Sequence, residues 1–175
     1  MNKRLLIVVD MQNDFVNGSL ANPMAEAIIP TIVEEMDASD CIIFTRDTHY
    51  ENYLQTAEGK KLPIKHCIKQ TKGWQFVEPL MNYIYSTTVP FYFVDKETFG
   101  LHSWDKYSNI ISKYEEIELV GTCTDICVVS NALILKALYP EKKIVVKASA
   151  CAGLTKEKHE AALETMRSCQ IDVVE

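Results

Sequence analysis

Six short apolar runs punctuate the chain, at residues 5–9, 41–45, 89–94, 117–120, 144–146 and 171–174. Most lack the polar alternation of a strand with one wet face. A strand apolar on both faces must be covered on both, as in the interior of a parallel sheet. The run VPFYFV at 89–94 is the exception, because Pro90 has no N–H to give a ladder and must sit at the strand's beginning or at a sheet edge. Helical patterns fill the gaps at 25–36, 79–85, 105–112, 126–139 and 155–169. The first carries Ile28, Ile29, Ile32, Val33 and Met36 at helical spacing, the fourth is stopped by Pro140, and the last opens on a Thr155 cap without a capping box. Strand and helix in alternation imply crossover connections and a three-layer α/β/α, Rossmann-like architecture: a mainly parallel six-stranded sheet with helices on both faces.

At 175 residues the chain can bury roughly 70% of its unfolded surface, so one domain spanning 1–175 is expected. A hydrophobic fraction of 47% and a charged fraction of 24% exclude a disordered chain. The net charge of −6 leaves no electrostatic footprint for nucleic acid or an anionic membrane. No apolar run approaches the ~20 residues that span a bilayer. The first run ends at Asp10 with no small-residue cleavage site after it, which points to the cytoplasm. Six cysteines (41, 67, 123, 127, 151 and 169) are then expected as free thiols, mostly small buried hydrophobes, with one left to do chemistry.

In an open parallel sheet, ligands bind beyond the carboxyl ends of the strands. The first strand ends in Asp10, the second in Asp47-Thr48-His49, the third in Asp95-Lys96, and the fourth in Gly121-Thr-Cys-Thr-Asp-Ile-Cys127. An acid, a possible metal-ligand pair, a lysine and a thiol therefore converge. Cys127 falls where a glycine-led turn becomes a helix, so free backbone N–H groups should lower its pKa from ~8.5 toward neutrality and could hold an oxyanion. Lys96 would favour the thiolate, and Asp10 could accept the thiol proton and return it to a leaving amine. Taken singly, Cys127 reads equally well as a buried helix residue, Asp10 as a turn residue and Lys96 as a solvated charge.

The stretch 48–74 is long, irregular and poor in apolar anchors, the mark of a functional loop. Asp47 and His49 project to one side of an extended segment, and His66 in this loop could close a site for a divalent cation. On spacing alone D-x-H is common. His102 and His159 have no partner pattern, and His159 reads as an exposed helix residue.

The segments VVDMQNDFVNGSL, TRDTHYENY, LPIKHCIKQTKGW, DKETFG and GTCTDICV, in this order, resemble the cysteine hydrolases of the isochorismatase-like superfamily, and within it the nicotinamidases. The resemblance implies an amidohydrolase acting on nicotinamide, with Asp10 as general base, Lys96 as activating cation and Cys127 as nucleophile. It implies a cis peptide at Thr122-Cys123 and an oxyanion hole from the N–H groups of Cys123 and Cys127. Asp47, His49 and His66 match metal ligands for one divalent ion, with zinc first and iron or manganese as alternatives. Phe15 and Trp74 resemble the aromatic pair that sandwiches the substrate ring. Where many relatives have a further histidine, six residues after His49, this chain has Gln55; Glu58, Glu51 or a water could replace it. The partners implied are a small amide substrate and further copies of the same chain, with no nucleic acid and no membrane. Two other readings stand beside this one: a hydrolase of another small amide or N-carbamoyl compound, and a thiol redox protein using Cys123 and Cys127, although x₃ is not the C-x-x-C spacing.

Overall fold

In the computed structural model, which describes residues 3–175, the apolar runs form six parallel strands: β1 (Arg4–Val9), β2 (Cys41–Asp47), β3 (Phe91–Lys96), β4 (Glu116–Thr122), β5 (Lys143–Ala152) and β6 (Asp172–Val174). Their order across the sheet is β3-β2-β1-β4-β5-β6. Alternate residues of the central strand serve two cores. Leu5, Ile7 and Val9 pack on one face with Val128, Ala132 and Leu135, while Leu6 and Val8 pack on the other with Ile32, Met36 and Leu80. That double burial is why the runs carry no polar alternation.

Among the described residues, eight α-helices accompany the sheet, seven of them on its faces. Helices α1 (Asn13–Val16), α2 (Pro23–Ala27), α3 (Ile29–Asp37) and α5 (Glu78–Ser86) carry Val16, Ala25, Ile32, Met36 and Leu80 onto one face; α4 (Ala57–Lys61) lies in the loop after β2. Helices α6 (Ser108–Ile111), α7 (Val129–Leu138) and α8 (Lys156–Ser168) cover the other face. Among the described residues, no helix is long and apolar enough to cross a membrane.

The pattern at 25–36 proves to be two helices, α2 and α3, that meet at Ile28. Pro30 opens α3: its ring would collide with the carbonyl four residues back in a continuous helix. The pattern at 105–112 is likewise split, into a 3₁₀ turn (Trp104–Tyr107) and α6. Thr155 caps α8 as expected, accepting from the Lys158 N–H. Strand β3 begins just after Pro90 and lies at the sheet edge, leaving Tyr92 and Phe93 exposed.

The strand order runs outward from β1 to β3, then returns beside β1 to start β4. This reversal is a topological switch point, and it parts the loops that leave β1 and β4 into a crevice. Val9 pairs with both Thr45 and Gly121, and Asp47 pairs with Lys96, so the functional strand ends lie at one level. Gly121 is required there. Its φ is +116°, and a Cβ would stand 2.2 Å from the Val9 carbonyl oxygen. Gly121→Ala is expected to destabilise the fold by about 2–4 kcal/mol, read as a lowered denaturation midpoint; an unchanged midpoint would contradict this account of the crevice floor.

Candidate active site

Asp10 leaves β1 with φ +50°, a left-handed conformation that aspartate tolerates better than most residues. The turn aims its carboxylate across the strand ends. Thr45 Oγ1 donates to Asp10 Oδ1 at 2.7 Å, and Lys96 Nζ lies 2.6 Å from Oδ2. The ammonium also approaches Cys127 Sγ and Asp47 Oδ1, each at 3.6 Å, and donates to the Thr98 carbonyl at 3.2 Å. Asp10, Lys96 and Cys127 are all buried. The structure thus brings together the three residues singled out at the ends of β1, β3 and β4.

Their proton affinities differ in a useful way. Burial works against the Lys96 ammonium, but Asp10, Cys127 and Asp47 outweigh it and hold the lysine above its ordinary range. Burial raises the Asp10 carboxyl, with Lys96 pulling it partly back. Burial also pushes the Cys127 thiol well up; Lys96 opposes this, and Asp10 and Asp47 add to it. The lowering toward neutrality expected from the helix terminus is therefore corrected. Desolvation and the two carboxylates push the thiol up despite Lys96, so Cys127 needs a base to become nucleophilic. Cys123 is likewise raised, to about 11, mainly by burial. Neither thiol is the exposed, acidic sulfur that a redox pair needs, and all six cysteines are free.

Cys127 lies on a π turn (Thr124–Val128) that leads into α7. The Cys123 carbonyl accepts from the i+3 amide of Ile126 (3.1 Å) and the i+5 amide of Val128 (3.0 Å), the wide spacing by which a π turn bypasses the i+4 amide of Cys127. The peptide Thr122-Cys123 is cis. His159, read from sequence as an exposed helix residue, is half-buried, with Nδ1 2.8 Å from Thr124 Oγ1 at the start of this turn.

The second cluster is more complete than the spacing alone required. Ligand atoms of Asp47, His49, Glu58 and His66 all lie within 4.8 Å of one another. His49 Nε2 is 2.9 Å from Asp47 Oδ2 and 3.5 Å from Glu58 Oε1, and His66 Nε2 is 3.5 and 3.7 Å from the same two oxygens. Four ligands at ordinary metal bond lengths stand roughly 3.3–3.6 Å apart around a tetrahedral ion, close to this spacing. His49 Nε2 is buried and, despite its short approach to Asp47, has no hydrogen bond of proper direction; such an atom aims at a common centre, not at a neighbour. His66 Nδ1 lies 2.8 Å from the Ile64 carbonyl, which takes the ring proton there and leaves Nε2 free to ligate. The set fits a divalent metal ion. Glu58, on α4, fills the position left open by Gln55, which is exposed, and Glu51 points away to pair with Lys65.

The cluster also makes a pH prediction. Burial disfavours the His49 imidazolium, but Asp47 and Glu58 overcome it and hold the pKa up to about 9. That ion pair stabilises the metal-free fold below the ordinary histidine pKa of about 6.5, and the contribution fades as pH rises through about 9. Metal binding must expel the same proton, so apparent metal affinity should climb about tenfold per pH unit up to about pH 9 and then level off. Chelator-competition titrations across this range would show it, and a flat profile would contradict it.

Asp47, Glu58, His66, Cys123 and Cys127 line one cavity of about 510 Å³, walled by Phe15, Leu20, Leu62, Phe99, Ile126 and Leu154. Phe15 stands against His66, with ring centroids 5.6 Å apart. Trp74 is not brought to this cavity. Its indole N–H donates to Thr48 Oγ1 at 2.8 Å, and the Arg46 guanidinium sits 3.8 Å above its ring, so stacking and hydrogen bonding hold it at the end of β2. Phe99, not singled out from the sequence, lines the cavity mouth instead.

Two supporting residues were also missed. Buried Gln12 donates to the carbonyls of Asp47 and Trp74 and accepts from Asp47 N–H, clamping the end of β1 to the metal cluster. Asp14 accepts from Cys67 N–H at 2.8 Å, holding the backbone beside His66. Both lie in the QND triplet that begins two residues after Asp10, where nothing in the local pattern tells them from ordinary polar loop residues.

Comparison with known proteins extends the match over nearly the whole chain. The chain is 29% identical over 173 residues to the nicotinamidase of Saccharomyces cerevisiae, covering 74% of this chain and 80% of that protein. It is 27% identical over 189 residues to the nicotinamidase/pyrazinamidase of Mycobacterium tuberculosis, covering 98% of each. Its fold superposes on the zinc complex of the pyrazinamidase of Pyrococcus horikoshii with a TM-score of 0.78 at 28% identity, covering 99% of both chains. The isochorismatase domain model matches residues 4–175, from the first strand through the last, and the chain accordingly belongs to the isochorismatase domain family.

Proposed function

We propose that the protein is a nicotinamidase, hydrolysing nicotinamide to nicotinate and ammonia through a thioester on Cys127. The observation that carries this is the adjacency of two groups at one cavity: Cys127 of the Asp10–Lys96–Cys127 cluster and Asp47, Glu58 and His66 of the four-ligand set line it, and the 3.6 Å approach of Asp47 to Lys96 links the two. When bound, a divalent metal, zinc first, supplies a Lewis acid at which a pyridine nitrogen can be fixed.

Asp10 takes the Cys127 proton as the sulfur attacks the amide carbon, and Lys96 stabilises the thiolate it faces. The N–H groups of Cys123 and Cys127 receive the oxyanion. Its collapse breaks the C–N bond, and Asp10 returns the proton to the departing ammonia. Asp10 then deprotonates a water that cleaves the thioester and restores the thiol. A raised carboxyl beside a permanent ammonium suits this exchange, since the acid must both take and give up a proton near neutral pH.

The cavity favours a neutral substrate. Its charged lining residues are Asp47 and Glu58, and the rest of the wall is largely apolar, so the carboxylate of an N-carbamoyl amino acid meets no free cation. Kinship with proteins named nicotinamidase and pyrazinamidase supports the same substrate class. Ammonia release should be measured on metal-loaded protein over a panel of nicotinamide, an aliphatic amide and an N-carbamoyl amino acid. Nicotinamide is expected to lead the panel; inactivity on it, with turnover of another member, would replace this assignment by the broader amide-hydrolase reading.

A further inference from the structure

Asn131 lies on α7, one turn after Cys127, and its side chain is fully buried with every hydrogen-bonding capacity used. Its Nδ2 donates to the Cys127 carbonyl at 2.8 Å and the Phe99 carbonyl at 3.2 Å. Its Oδ1 accepts from Leu101 N–H and Trp104 Nε1–H, both at 2.9 Å. One amide thus joins the turn that bears the thiol to the segment after β3. That same segment receives the Lys96 ammonium on the Thr98 carbonyl and is tied internally by Thr98 Oγ1 donating to the Gly100 carbonyl at 2.7 Å. Phe99, between these contacts, lines the cavity mouth.

We propose that Asn131 is a positioning residue: it sets the separation between the Lys96 ammonium and the Cys127 sulfur by locking the two backbone segments that carry them. The proposal rests on Cys127 being the nucleophile. Two strands separate the ends of β3 and β4, so no sheet ladder joins these segments directly. The Asn131 amide supplies the rigid link a reactive geometry requires, and a shift on the order of 1 Å at such a site costs about 100-fold. Only an amide satisfies the pattern. A carboxylate has no N–H to offer the two carbonyls and places negative charge against them, and a shorter hydroxyl cannot bridge four partners.

The test compares Asn131→Asp and Asn131→Ser with Trp104→Phe. The last removes the indole N–H from Oδ1 but leaves both links from Nδ2 intact, so it reports the cost of a damaged core alone. Four quantities are read: the unfolding midpoint, kcat and KM for nicotinamide, and the rate at which iodoacetamide alkylates Cys127, resolved by peptide mass spectrometry. Both Asn131 variants are expected to lose about 10- to 100-fold in kcat with KM within about threefold, and to lose Cys127 alkylation rate in parallel. Trp104→Phe is expected to lower the midpoint while keeping kcat and alkylation near wild type. Wild-type alkylation in either folded Asn131 variant would overturn the proposal, and so would an equal kcat loss in Trp104→Phe. If Asn131→Asp does not fold, Asn131→Ser decides; if neither folds, Asn131 is a core residue and the positioning role is refuted. Failure of the catalytic assignment looks different, because the wild type itself would then release no ammonia from nicotinamide.

Discussion

Cys127→Ser should abolish ammonia release from nicotinamide, with a loss of at least about 10⁴-fold in kcat, while the protein remains folded. The sulfur provides the only covalent route in the scheme, and a serine hydroxyl there would be a far weaker nucleophile in a setting where burial raises even the thiol. The fold should tolerate the change: the Lys96–Asp10 ion pair at 2.6 Å and the Thr45–Asp10 hydrogen bond do not depend on the sulfur. Two measurements check this. A coupled ammonia assay gives the residual rate, and acid quenching during turnover should trap a nicotinoyl adduct on the wild-type peptide carrying Cys127. Turnover by the variant within tenfold of wild type would sink the thioester mechanism.

Loss of a proposed metal ligand should be nearly as severe but separable. His66→Ala is expected to lower kcat/KM for nicotinamide by about 10²–10³-fold and to abolish stoichiometric metal binding, since a metal holding the pyridine nitrogen would orient the amide toward Cys127 and lost positioning of that kind costs on the order of 100-fold or more. His66 is the better choice for this test. Asp47 also lies 3.6 Å from Lys96, so its removal would disturb both clusters at once, whereas His66 contacts only the metal set and the Ile64 carbonyl through its nitrogens. Alkylation of Cys127 in His66→Ala should therefore proceed at close to the wild-type rate. Full activity in protein shown by elemental analysis to be metal-free would remove the metal from the proposed function while leaving the hydrolase intact. Chelation should also lower the unfolding temperature, because an ion bound only by the native state stabilises that state.

Much of the site was legible because its chemistry sits at strand ends. Asp10, Asp47, Lys96 and the Gly121 turn each end an apolar run, and a parallel sheet turns that one-dimensional position into proximity. The helix break at Ile28 was also written locally, in Pro30, although the apolar spacing across it suggested a single helix. The loop after β2 was different. Trp74 and Glu58 are close in sequence to the metal ligands, yet one is drawn away under Arg46 while the other completes the cluster. Spacing along an irregular segment does not specify direction, so only the resemblance, and not the spacing, favoured Glu58 over Glu51.

The layered α/β/α architecture and the residue types of the crevice follow from the chain alone, because apolar periodicity and strand-end position are local properties. How those residues behave was set by folding. Cys127 is the clearest case: a helix terminus alone would lower its pKa, but burial among Asp10 and Asp47 raises it. Gln12, Asp14 and Asn131 were invisible for the same reason, since a buried amide or carboxylate takes its meaning from partners far away in sequence. Desolvation and hydrogen-bond completion depend on all the neighbours a group acquires, and those exist only once the chain has folded.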